Sequence, residues 1–253
     1  MIVFRYDKTF EGLLTCIFDA YSRKVFPQKL VGEGEPSPLF TEEEHGVITE
    51  TTKSSRVWKA LEKKLPKEAC SMLMHVWLSE LPESDDLLFR YIRKVIDSPH
   101  NVSTNFTDDD VLEVHKIAKK VSKERLNLIQ FVRFQKAADD MFFAPVSPIF
   151  NSLPLTMNYF TDRFADQKWL IYDIRRRYGF YYDLKTAQEV SLDDDTHLLS
   201  GKLDEELMAK DEKLFQKMWK SYFQALTIKE RFNPRLQRQH MPRRYWKFLP
   251  EKN

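Results

Sequence analysis

Near Arg125 the hydrophobic pattern of this 253-residue chain changes period. Before that point apolar residues recur three and four apart. After it come short alternating runs rich in Phe, Val, Ile and Tyr. The first spacing buries one stripe of a helix and the second buries one face of a strand. Blocks that are separate rather than interleaved imply an α+β fold. The expectation is a helical block, an antiparallel β-meander and a C-terminal helical lobe. The chain reads as a single unit, 1–253, with three sub-regions. Residues 1–126 hold a strand–helix unit and the helical block, 127–202 the β-rich meander, and 203–253 the C-terminal helices with a basic tail.

Ile2 to Tyr6 reads as a strand, and Thr9 is placed to cap a helix through about Arg23. Residues 27–44, rich in Pro, Gly and Glu, read as a loop, followed by a short strand from His45 to Thr51. Helices are expected from Ser54 or Ser55 to Leu65, after Pro66, from Ser84, and from Thr107 with Asp108 to Asp110 in its first turn. Leu126 to Lys136 and Met141 to Val146 read as strands, with Arg133 on the parity of Phe131 and Gln135. Leu153 to Phe164 reads as a helix. Trp169 to Ile174 and Gly179 to Leu184 form a hairpin, with a further edge strand from Ala187 to Val190. Asp193 to Asp195 mark an acidic loop. A long helix from about Asp204 to Leu226 carries Leu207, Leu214, Phe215, Met218, Trp219, Tyr222 and Phe223 as a stripe expected to be buried.

Charge is unevenly distributed. From Lys220 onward nine cations face two anions, a local balance of +7. The whole chain has 40 Lys and Arg against 38 Asp and Glu, or +2, so residues 1–219 sum to −5. Positive potential concentrated in this way most often meets phosphate.

Several chemistries are excluded. An iron–sulfur centre of the radical-SAM kind needs three closely spaced thiolates, and the chain has only Cys16 and Cys70. The six histidines are scattered, without zinc spacing. Gly32-Glu-Gly34 lacks the third glycine of a dinucleotide loop, and no P-loop or Gly-x-Ser-x-Gly elbow is present. No cofactor or metal is expected. No apolar run is long enough to span a membrane, the start does not read as a signal peptide, and two isolated thiols fit a reducing cytoplasm.

Three constellations remain. Taken as an α-helix, Pro242 to Leu249 places Arg243, Arg244 and Lys247 within an arc of about 100°, opposite the aromatics. That face either contacts a phosphate backbone or is simply solvated. Arg231, Asn233, Arg235, Arg238 and His240 lie in a polar, irregular stretch that either grips phosphate or clamps the C-terminus to acidic loops. Arg175, Arg176 and Arg177 sit at the tip of the aromatic hairpin with Tyr178 and Tyr181. They form either a platform for unstacked bases or the outer side of a packed sheet. Asp162, Asp173 and His240 are weak candidates for acid–base catalysis, with a salt bridge the default for each carboxylate.

The run Ile228-Lys-Glu-Arg-Phe-Asn-Pro-Arg-Leu-Gln-Arg-Gln-His-Met-Pro-Arg-Arg-Tyr-Trp-Lys-Phe-Leu-Pro-Glu251 resembles the closing signature of a bacterial family. That family is described as a "probable DNA metabolism protein" with a domain of unknown function. Phe4-Arg-Tyr-Asp-Lys-Thr-Phe-Glu-Gly-Leu-Leu-Thr and the stretch from Tyr159 through Asp183 also resemble it. The resemblance implies a DNA context and a radical-SAM iron–sulfur partner. Some members carry a fused uracil-DNA-glycosylase-like domain, which a chain ending at Asn253 is expected to lack. The leading expectation is an accessory protein that binds DNA or RNA. The alternatives are a metal-independent, glycosylase-like enzyme and a module that docks the radical-SAM partner.

Overall fold

The computed structural model describes residues 1–138, 140–192, 208–227 and 233–252. Arg231, Leu207 and the Asp193–Asp195 loop lie outside the described residues. The chain divides into two compact units, Met1–Ser122 and Lys123–Asn253. The division falls within the helix Asp109–Phe131. The chain combines helices with two sheets, consistent with the α+β expectation, although helices also fall between strands, at Phe10–Arg23 and Met157–Arg163. Among the described residues no helix is long and apolar enough to cross a membrane.

In the first unit β1 (Ile2–Tyr6) is the centre of a three-stranded sheet. β2 (Lys29–Gly32) and β3 (Glu43–Gly46) lie parallel to it on either side. The segment 27–44, read as a loop, therefore contains a strand. Leu30 and Val31 are both buried, so β2 shows no alternation between faces, as is usual for a strand covered on both sides. β3 begins before His45 and ends at Gly46, because Thr51 already opens a helix. Its sequence is polar, and backbone pairing with β1 creates it. Arg5 ties the sheet together: its guanidinium donates to Glu44 at 2.6 Å and to the carbonyls of Gly32 at 2.6 Å and Glu35 at 2.8 Å.

α1 (Phe10–Arg23) connects β1 to β2, and α2 (Thr51–Lys64), α3 (Lys67–Trp77) and α4 (Ser84–Asp97) follow β3. Thr9 caps α1 as expected, its hydroxyl accepting from the Gly12 amide at 2.9 Å. At α5 (Asp109–Phe131) the cap is Asp108 rather than Thr107. Its carboxylate accepts from the amides of Asp110 at 2.9 Å and Val111 at 3.2 Å, and pairs with Lys94 at 2.6 Å. The Lys94 hydrogen bond leads the influences that hold the Asp108 carboxyl below its ordinary value. A lowered folded-state pKa contributes stability above the unfolded value and loses it as pH falls through the folded one. Asp108→Ala should cost about 1 kcal/mol in urea denaturation at pH 7. The gap to wild type should close as pH falls below about 3.8. A gap that persists at low pH would show that the charge is not its source.

The second unit holds a five-stranded sheet, order β4-β5-β6-β7-β8, formed by β4 (Gln135–Lys136), β5 (Phe142–Val146), β6 (Trp169–Asp173), β7 (Tyr178–Tyr182) and β8 (Ala187–Val190). It is mixed rather than a purely antiparallel meander: β5 and β6 run parallel and the other pairs antiparallel. The connection 147–168, with a 3₁₀ turn at Pro154–Thr156 and α6 (Met157–Arg163), is long enough for a parallel crossover. Hydrophobic period cannot distinguish the two senses. The alternation read from Leu126 onward also gives way, because α5 continues to Phe131 and leaves Arg133 in the link to β4.

Every residue of β6 is buried. Trp169 and Ile171 enter one cluster with Phe160, Tyr182, Tyr245 and Leu249. Leu170 and Tyr172 enter another, with Phe143 and Phe248. Residues from the extreme C-terminal segment thus complete both clusters. Gly179 permits the close β6–β7 pairing: a Cβ there would collide with the Ile171 carbonyl oxygen and lie 2.9 Å from Tyr172 Cα.

Candidate nucleic-acid interface

The β6–β7 turn places Arg175, Arg176 and Arg177 next to Asp173, whose side chain is fully buried. That carboxylate accepts from the amides of Arg175 at 2.9 Å and Arg176 at 3.3 Å, and from the Arg176 guanidinium at 2.9 Å. Burial raises the Asp173 carboxyl above its ordinary value, and the Arg176 pair and the amides offset this only in part. Arg176 also reaches the carbonyls of Pro148 at 3.1 Å and Ile149 at 3.0 Å. Arg175 donates to the Ile149 carbonyl at 2.9 Å. The Tyr178 hydroxyl bonds Asn151, and Tyr181 packs half-buried against the second cluster. Most of the groups read as a base platform thus hold the 148–151 loop against the hairpin. Arg177, at φ 59°, is exposed.

The C-terminal segment does not form the α-helix used to align its cations. Arg243–Phe248 is a 3₁₀ helix, in which residues three apart eclipse. Tyr245 and Phe248 share the buried edge, 3% and 6% exposed. Arg244 falls with Lys247, and Arg243 with Trp246, over whose ring its guanidinium lies at 5.7 Å. The row of three cations is therefore broken. Arg244 turns inward to Glu124, whose side chain is 3% exposed and which also accepts from the Ile149 amide at 2.9 Å. Lys247 is exposed, its ammonium 4.6 Å from the Phe248 ring.

A second inward clamp went unnoticed in the sequence, where Glu251 counted only as an anion. Its side chain is 1% exposed. It pairs with Arg133 at 2.9 Å and accepts from the Trp219 indole at 2.9 Å. The final 3₁₀ turn, Pro250–Lys252, is held there.

Four of the side chains expected to contact phosphate face solvent without an ion pair to any described residue: Arg235, Arg238, His240 and Arg243. Three ride on or end α8 (Pro234–His240), a short helix where only a polar turn was foreseen. Asn233 makes it, its side chain accepting from the amides of Arg235 at 3.1 Å and Leu236 at 3.0 Å. So Asn233 shapes the backbone that presents the arginines.

The stripe on α7 (Glu212–Ala225) overturns the expectation of burial. Leu214, Phe215, Met218 and Tyr222 are each more than half exposed and Trp219 is 39% exposed. The Phe215, Trp219 and Tyr222 side of α7, facing Phe134 and Phe142, lines a groove of about 810 Å³. Arg133 and Lys136 stand at its wall. Periodicity had identified the amphipathic helix but gives no information about what covers it.

The acid–base candidates are not brought together. Asp162 is exposed on α6, Asp173 is enclosed by its own turn, and His240 is exposed at the end of α8. Among the described residues no His, Cys, Asp and Glu cluster could hold a metal.

A family profile described as a domain of unknown function, DUF4130, matches residues 82–251. No curated protein matches the chain. Among solved structures, a pGpG-specific phosphodiesterase, PggH from Vibrio cholerae, aligns over 88% of this chain and 98% of that one. The identity is 9% and the TM-score 0.29, too low for the likeness to carry fold or activity.

Proposed function

Given that the chain belongs to the DUF4130 family, whose description assigns no activity, we propose from the chemistry of its second unit that it is a nucleic-acid-binding accessory protein of DNA metabolism. One observation supports this reading above the others. The arginines of the basic terminus divide into an inward one, Arg244, closed on the buried Glu124, and an outward set with no ion pair among the described residues: Arg235, Arg238 and Arg243. Outward arginines suit phosphate, which they can grip with two parallel hydrogen bonds. Phosphate contacts give affinity and position without reading sequence.

An accessory role leaves catalysis to a partner. The resemblance read from the sequence names a radical-SAM iron–sulfur protein for DNA modification or repair, with a uracil-DNA-glycosylase-like protein as a further associate. The chain's two cysteines are both buried and cannot supply the three thiolates of such a cluster. A glycosylase-like reading would need the Asp162, Asp173 and His240 groups to converge on a pocket, and their placements do not favour it.

The test is photochemical crosslinking of a 4-thiothymidine-substituted DNA strand to the purified chain, followed by peptide mapping. Crosslinks should fall on the described stretch 233–247. Crosslinks confined to the first unit would overturn the assignment.

A further inference from the structure

We propose that the outer face of α2 in the first unit, formed by Arg56, Lys59 and Lys63, grips the phosphate backbone of a nucleic-acid duplex. The inference rests on the nucleic-acid reading above and adds to it a second contact, on the other unit and with a preference for duplex.

α2 is a basic helix in an acidic unit. It carries five cations, Lys53, Arg56, Lys59, Lys63 and Lys64, against the single anion Glu62. Residues 1–122 as a whole hold 17 Lys and Arg against 20 Asp and Glu. The five cations divide as those of the C-terminal segment do. Lys53 turns to Asp19 at 3.1 Å and Glu50 at 2.7 Å, and Lys64 donates to the carbonyls of Val95 at 3.1 Å and Ser98 at 2.9 Å. Arg56, Lys59 and Lys63 are exposed, with no ion pair among the described residues. At about 100° per residue they fall within an arc of about 60°. The buried Val57 and Leu61 lie on the other side of the helix. Glu62 stands off the arc and accepts from the Trp58 indole at 2.9 Å.

Charge complementarity selects the occupant. The three cations line an open recess of about 680 Å³. The rest of its lining is the hydroxyls of Thr51, Thr52 and Ser55 and the methyl of Ala60, with no carboxylate. Cations and hydroxyls are the side chains that contact phosphate. A protein partner needs an apolar centre to pack against, and a membrane needs apolar side chains to insert. This face offers one methyl, because the apolar side of α2 is packed in the core. The lining also has no aromatic ring on which an unpaired base could stack, the usual device for holding a single strand. From Arg56 to Lys63 the helix rises about 10 Å, while one strand of a duplex advances about 3.4 Å per phosphate. A fixed row of cations thus spans about three successive phosphates of a duplex that is already ordered.

The experiment measures binding of the full chain by fluorescence anisotropy across a salt series, to a blunt duplex and to an oligo(dT) strand of equal length. It compares wild type with Arg56→Gln/Lys59→Gln/Lys63→Gln. All three side chains are exposed, and thermal melts should coincide. The variant should bind the duplex about tenfold or more weakly near 50 mM salt, with a log–log slope shallower by about 2–3. Its affinity for oligo(dT) should change by less than about threefold. Arg56→Lys/Lys59→Arg/Lys63→Arg, which keeps the charges, should restore duplex binding. Unchanged duplex affinity in the glutamine variant overturns the α2 assignment and leaves the C-terminal arginines standing. If in addition wild type alone sediments with phosphatidylserine vesicles, the face belongs to a membrane instead. An equal loss on both ligands overturns the preference for duplex. Wild-type protein that binds neither nucleic acid at low salt removes both readings.

Discussion

Glu124→Ala should destabilise the second unit by about 3 kcal/mol, the largest stability effect expected of a polar substitution there. The Glu124 side chain is 3% exposed and holds the Arg244 guanidinium together with the Ile149 amide. Removing it leaves a partly buried cation without its counter-charge, which costs about 3–5 kcal/mol when burial is complete. Arg244 is a third exposed, so water recovers part of that, and the lower end applies. Ile149 is 45% exposed and its amide can turn to solvent. Arg244→Ala should also destabilise, and the double variant should cost less than the sum, with a coupling of about 1–3 kcal/mol. Chemical denaturation measures all three. A cost below about 1 kcal/mol for Glu124→Ala would mark the pair as solvent-screened. Arg244 would then rejoin the cations free to meet phosphate.

The outward set should behave in the opposite way. Arg235→Glu/Arg238→Glu/Arg243→Glu changes three exposed side chains with no ion pair among the described residues, so each should alter stability by no more than about 0.5 kcal/mol. Nucleic-acid affinity should fall by roughly two orders of magnitude near 50 mM salt. The slope of log affinity against log salt should become shallower by about 2–3, because each lost phosphate contact removes about 0.7–0.9. The loss should be equal across sequences, since phosphates carry no base identity. A sequence-dependent loss would place these arginines on base edges instead. Unchanged affinity with the fold intact would return them to a purely solvated role.

What the sequence disclosed, and what it did not, follows from the range of each interaction. The Thr9 cap, the α1 stripe and the β6–β7 hairpin depend on neighbours a few residues apart, and each is present where it was expected. The strand β2 was hidden because both of its faces are covered, and β3 because pairing with β1, rather than its own side chains, makes it extended. The sense of β5 against β6 is set by a connection, not by a pattern. At the basic terminus, composition marked the right segment but could not sort its members. Arg244 and Glu124 are 120 positions apart, and Glu251 and Arg133 are 118 apart. Nothing local distinguishes these clamped arginines from Arg243. Pro242 was read as opening an α-helix, yet the 3₁₀ winding it begins moves Arg244 off the Arg243 edge. The α7 stripe was visible as a period, and its exposure, which carries the groove, was not.

The central claim is that the outward arginines, which have no ion pair among the described residues, hold nucleic-acid phosphates. The salt dependence of wild-type binding to a single DNA strand tests it most directly. The three outward arginines, Arg235, Arg238 and Arg243, predict a log–log slope of about −2 on a single strand. A slope near zero, or no binding at about 20 mM salt, would contradict the account.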